Sequence, residues 1–143
     1  MQQRHKKISQ FLIMTFILPL LLTGCIPSQS QAKTQVLVRY FHGDIRCSTC
    51  LAFEDWSKTA LESFPKELAN GSLQWQFINF DLPENKHYIK DYGLVDKALV
   101  LVREEDGKPV RWKNVVEFWE FDNDQKQEFV SFVQGLIADY LEH

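Results

Sequence analysis

Val36-Leu37-Val38-Arg39-Tyr40-Phe41-His42-Gly43-Asp44-Ile45-Arg46-Cys47-Ser48-Thr49-Cys50 is the stretch whose reading decides the fold. From Val36 to Phe41 it is short, apolar and rich in β-branched and aromatic residues, which predicts a buried strand. His42 to Arg46 reads as a loop. From about Cys47 to about Phe64 apolar residues recur at three- and four-residue steps (Leu51, Ala52, Trp56, Ala60, Phe64), which predicts a helix. A strand, a short loop and a helix that opens on two cysteines is the local unit from which the rest is read.

The spacing of Cys47 and Cys50 has a chemical meaning. Residues three apart in a helix share a face, so the two sulfurs meet. Free N–H groups and the macrodipole at a helix N-terminus favour a thiolate, and Arg46 next door adds positive charge. Cys47 is then the candidate exposed nucleophile, Cys50 the candidate resolving thiol one turn inside, and Arg46 the candidate thiolate-stabilising residue. In a strand–loop–helix context this pattern reads as a redox pair.

Outward from that centre, Pro65 and Asn70-Gly71 end the first unit, and Leu73 to Phe80 reads as a second strand. Pro83 to Tyr92 reads as a short helix or turn closed by Gly93. Ala98 to Val102 is a third strand, and Glu105-Asp106-Gly107 turns the chain into a fourth around Val110 to Trp112. A last helix is expected from about Asp124 to Leu141, with N-cap candidates at Asp122 to Asp124. Its buried stripe includes Phe129, Val133, Leu136, Ile137 and Tyr140. This order is α/β. Phe118, Trp119 and Phe121 are expected to pack beneath a loop before the last helix.

The N-terminus carries an address. Arg4, Lys6 and Lys7 precede an apolar run from about Ile8 to Leu22 that Pro19 interrupts. A spanning helix needs roughly 20 apolar residues, so a cleaved secretory signal is the better reading. The run ends in Leu22-Thr23-Gly24-Cys25, which looks like a lipobox, and Cys25 is the expected lipidation site. Residues 1–24 are then a lipoprotein signal peptide, residues 25–33 a lipidated N-terminus and tether, and residues 34–143 the folded domain. The chain has three cysteines, so lipid on Cys25 leaves Cys47 and Cys50 as a pair. The expected location is a cell membrane or outer membrane, on the periplasmic or extracytoplasmic side, with a membrane-proximal protein thiol or disulfide as partner.

Composition narrows the function classes. The 143 residues hold 16 Lys+Arg against 19 Asp+Glu, and without the three cations of the signal 13 face 19. So acidic a body is a poor counterion for phosphate, which sets nucleic-acid binding aside. The glycines form no G-x-G-x-x-G pattern, so no nicotinamide or flavin site is read and no cofactor is expected. Two other readings of the cysteine pair stay open beside exchange. A disulfide closing so short a loop removes little unfolded-state entropy, roughly 2 kcal/mol against about 3 for fifteen residues, which makes it an inefficient staple. A metal site needs further ligands, and His42, Cys47 and Cys50 are its candidates, with His87 the other imidazole within the folded part. His42 as a lone loop histidine is otherwise expected to be solvated.

From the strand into Cys47-Ser48-Thr49-Cys50, through Asn79-Phe80-Asp81 to Tyr92-Gly93-Leu94, and on to the strand and turn at Gly107, the chain resembles the thioredoxin superfamily. The resemblance covers about Thr34 to His143 and implies a thioredoxin-like three-layer sandwich, a central mixed sheet flanked by helices. More narrowly, Tyr40-Phe41-His42-Gly43, Arg46-Cys47, Thr49-Cys50, Trp112-Lys113-Asn114 and Trp119 resemble a small family of thioredoxin-like lipoproteins. That family is named for a nitrophenyl-compound nitroreductase subunit and linked by name to arsenic-resistance operons.

Two departures from the superfamily pattern stand out. Where thioredoxins place a cis-proline facing the cysteines, this chain has Ala98 after Lys97, the substrate-facing loop. A cis bond without proline costs about 2.5–4 kcal/mol, so a trans bond is expected there, with room left for a metal or small ligand. Phe41 stands where the buried acid that serves the resolving thiol is expected, which leaves His42 and Asp44 as candidate proton acceptors. The functional expectation is a membrane-tethered, extracytoplasmic thiol–disulfide oxidoreductase. The alternative is a non-catalytic thioredoxin-like binding subunit that holds a metal or docks on a membrane redox partner, such as a nitroreductase accessory subunit.

Overall fold

The computed structural model describes residues 33–143. The signal segment, Cys25 and the tether up to residue 32 lie outside the described residues. Strands β1 (Thr34–His42), β2 (Leu73–Asn79), β3 (Ala98–Glu105) and β4 (Lys108–Asn114) form one sheet in the order β2-β1-β3-β4. β1 runs parallel to β2 and antiparallel to β3, and β3 is antiparallel to β4, so the sheet is mixed.

β1 is buried along nearly its whole length, the pattern of a strand covered on both faces. Alternation sends Val36, Val38 and Tyr40 to one face and Leu37 and Phe41 to the other. The first face is covered by α1 (Ser48–Leu61) and α4 (Lys126–Glu142), which contribute Phe53, Trp56, Ala60, Phe129, Val133 and Ile137. The second is covered by α3 (His87–Tyr92) and the residues after it, through Tyr88, Tyr92 and Leu94. Helices on both faces of a mixed sheet, with the cysteines where β1 gives way to α1, make the fold α/β, with the central mixed sheet flanked by helices that the sequence resemblance implies.

The second face also holds a buried ion pair. Arg39 meets Glu104 at 3.3 Å, donates to Gln76 at 2.7 Å and reaches the Tyr92 hydroxyl. Glu104 lies beyond the Val102 expected to end the third strand. With its charge neutralised it stays within β3, which runs on to Glu105.

Other boundaries also differ. α1 stops at Leu61 rather than near Phe64, and Phe64 instead caps a second helix, α2 (Pro65–Asn70), with Pro65 in the first turn where its missing N–H costs nothing. Gly71, at φ 78°, closes α2 in the left-handed conformation that glycine adopts freely. α4 begins after Gln125, not at Asp122 to Asp124; the Gln125 side chain accepts the Asp122 N–H at 2.7 Å. Asp106 and Gly107, both at positive φ, form the tight turn between β3 and β4. Phe118 is fully buried against Phe53, while Trp119 is half exposed. Among the described residues no helix is long and apolar enough to cross a membrane.

Candidate functional site

Cys47 is the N-cap of α1, in extended backbone conformation (φ −88°, ψ 164°). Its sulfur accepts the Cys50 N–H at 3.2 Å, one of the donors that a helix start leaves without a backbone partner. Cys47 and Cys50 are joined as a disulfide, with Cα atoms 5.1 Å apart. The two sulfurs are not equivalent: Cys47 is exposed, whereas Cys50 is only 1% accessible. That asymmetry comes from the fold, because Cys50 begins the buried stripe of α1 that continues through Phe53, Trp56 and Ala60.

Beneath the pair, the Tyr40 hydroxyl donates to the Cys50 carbonyl at 2.8 Å. Burial pushes the Tyr40 phenol up to about 12, helped by the charges of Glu54 and Asp96 and opposed by Arg46. Arg46 turns along the helix to pair with Glu54, and its guanidinium lies 4.9 Å from the centre of the Phe77 ring. Glu54 also takes Lys58 at 2.5 Å. Burial works to raise the Glu54 carboxyl, but Lys58 and Arg46 outweigh it and hold the group below its ordinary value.

The loop before Cys47 is stapled to the end of β2. The Asp44 N–H donates to Asp81 at 2.8 Å, the Asn79 amide donates to the Asp44 carboxylate at 2.8 Å, and the Phe80 N–H donates to the His42 carbonyl at 2.9 Å. Gly43 leaves room for this staple, since a Cβ there would lie 2.8 Å from the Asp81 carboxylate and push it aside.

The candidate proton acceptors have different settings. Asp44 is exposed and serves the staple. His42 corrects the expectation of a solvated loop residue. It is the last residue of β1, buried, stacked on Phe77 at 4.0 Å, with Nδ1 2.9 Å from the Gly43 carbonyl, to which it donates. Phe41 is fully buried against Tyr88 and Tyr92, on the sheet face opposite Tyr40.

Ala98 opens β3 opposite Phe41, and the Lys97–Ala98 peptide is trans, as are all others among the described residues. Lys97 is folded onto Asp96 through both its backbone N–H (2.8 Å) and its ammonium (3.0 Å). Between this loop and the one before Cys47 lies an open cleft of about 290 Å³, with Gly43 and Ile45 on one side, Val95 to Lys97 on the other, and Phe80 and Asp81 from β2's end. Its apolar rim is bare: Ile45 is 82% and Val95 100% exposed.

Among the described residues no group of three or more His, Cys, Asp or Glu side chains is arranged to hold a metal ion. His87 belongs to the start of α3, against Tyr88 and the Glu84 carbonyl. Sequence reasoning missed Tyr40, Glu54 and the Asn79–Asp81 staple as parts of the site. The strand alternation that aims Tyr40 under α1, and the four-residue steps Cys50, Glu54, Lys58, were available signals.

No family model matches the chain, and no curated protein matches it. Among solved structures it is similar to the first two thioredoxin domains of Naumovozyma dairenensis Eps1p, with 14% identity over 71% of this chain and a TM-score of 0.40. The match spans about a third (35%) of that chain's length.

Proposed function

We propose that the protein is a thiol–disulfide exchange protein in which Cys47 attacks and Cys50 resolves. The observation that carries this reading is the asymmetric pair: one exposed sulfur at a helix N-terminus, bonded to one buried a turn inside. In the reduced form the Cys47 thiolate attacks a partner disulfide, forming a mixed disulfide and expelling one partner thiolate, which takes up a proton. Cys50 then loses its proton and attacks the Cys47 sulfur. The mixed disulfide breaks, the second partner thiolate leaves, and two electrons have passed from the cysteine pair to the partner. Run backwards, with a dithiol partner as donor, the same steps reduce the pair.

The helix terminus and Arg46 favour the thiolate, and Asp44 and His42, which precede Cys47 in the chain, are the candidate proton acceptors. The cleft walled by Ile45, Val95 and Lys97 is where a partner segment rests. The reading also places the protein on a membrane, lipidated at Cys25 and facing the extracytoplasmic side, among lipoproteins of the nitroreductase-subunit type. The basic head, apolar run and Leu22-Thr23-Gly24-Cys25 support that location.

The test is acid-quenched alkylation across a series of glutathione potentials. Cys47 and Cys50 are expected to interconvert as a two-electron couple. Cys50→Ser is expected to accumulate a mixed disulfide with a partner, and Cys47→Ser to form none. A pair that never interconverts, or holds metal instead, defeats the proposal. Palmitate labelling lost in Cys25→Ser is the expected result for the anchor.

A further inference from the structure

Arg46 precedes Cys47 directly, yet its guanidinium is committed elsewhere. It spans eight residues to Glu54, lies over Phe77 and leaves its Nε buried without a hydrogen-bond partner. A guanidinium with an unpaired donor is held at some cost, so the bond to Glu54 must compensate. The Glu54 side chain is 13% exposed and sits between two cations, Arg46 and Lys58. The trio therefore carries a net single positive charge, and Glu54 alone decides whether that charge is one or two.

We infer that Glu54 is a positioning residue that meters the positive charge Arg46 presents to Cys47, clamping the loop while holding the sulfur less acidic than an unopposed arginine would. The inference rests on the exchange reading and concerns how reactive the exposed sulfur is. The other charged or titratable groups around the site leave this control to Glu54. Asp96 and Lys97 from the loop before β3 neutralise each other, Asp44 is engaged with Asn79, His42 is stacked on Phe77, and Tyr40 is tied to the Cys50 carbonyl.

The test compares the full chain with Glu54→Gln, titrating the Cys47 thiolate by its ultraviolet absorbance in the Cys50→Ser background. The glutathione equilibrium of the intact pair is measured in parallel. Removing one negative charge about two helical turns away is expected to raise the thiolate fraction, at a fixed pH below the midpoint, about threefold to tenfold. The glutathione equilibrium is expected to move toward the dithiol form in the same direction. Arg46→Gln combined with Glu54→Gln is expected to cancel the gain, which a purely structural role for Glu54 does not predict. Should Glu54→Gln not fold, Glu54→Asp, whose shorter arm withdraws from Arg46, is expected to shift the thiolate the same way by less.

A folded Glu54 variant with an unchanged thiolate fraction overturns the inference, as does a double variant that keeps the gain. Both outcomes leave the exchange reading intact so long as the pair still cycles with glutathione. A pair that does not cycle defeats that reading instead.

Discussion

The hydroxyl of Tyr40 donates to the carbonyl oxygen of Cys50 across 2.8 Å, so β1, an inner strand of the sheet, holds the first turn of α1 directly behind the sulfur pair. Tyr40→Phe keeps the ring in the core and removes that bond, at an expected cost of about 1 kcal/mol in urea denaturation. The pH dependence has a definite sign. Burial raises the phenol from 10.0 to about 12, so the folded chain holds this proton more tightly than the unfolded one. Its contribution is complete below the unfolded value and is lost as pH rises through the folded one. Tyr92 and Tyr140 are raised by burial too, so wild type is expected to weaken across that alkaline window, and Tyr40→Phe to weaken less.

Gly43→Ala is expected to cost about 1 kcal/mol, because the new methyl presses on the Asp81 carboxylate that accepts the Asp44 N–H. The effect depends on its neighbour. In an Asp81→Ala background the clash is gone, and Gly43→Ala is expected to cost much less. Urea melts of the two single variants and the double variant read that coupling.

Arg39 and Glu104 are both buried, and removing one strands the other. Arg39→Met is expected to destabilise by about 3–5 kcal/mol, whereas Arg39→Met with Glu104→Leu is expected to recover most of the loss. Equilibrium unfolding of the single and the double variant beside wild type checks the order.

Ile45 and Val95 face solvent on opposite sides of the cleft beside the loop that leads into Cys47. If partner segments rest on them, Ile45→Ser with Val95→Ser is expected to slow exchange with a protein disulfide about threefold to tenfold, the scale of one or two methylene burials lost. Exchange with a small dithiol, which needs no apolar rest, is expected to change little. Stopped-flow measurements with each class of partner separate the two.

Much of this architecture is legible in the chain because the signals are local. Val36 to Phe41 is apolar on both faces, the Cys47 helix has a clear stripe, and Gly71, Gly93 and Gly107 sit where left-handed residues are needed. The order of these elements then leads to a mixed sheet with helices on both faces. What escapes is non-local. Nothing in the spacing of Arg46 and Glu54 marks them as partners, since one lies in a loop that folds back over the helix bearing the other. His42 looks like a solvated loop residue until Phe77, brought alongside by the parallel register of β1 and β2, covers its ring. The break after Leu61 is hidden because Phe64 continues the apolar stripe while Pro65 starts a new helix.

Because Cys47 alone of the two cysteines faces solvent, the molecule offers a visitor a single point of attachment. Peptide mapping of any captured conjugate should return one linkage isomer rather than a mixture. A bulky thiol reagent should likewise label the reduced pair once, at Cys47, leaving its inner neighbour unmodified until the helix frays.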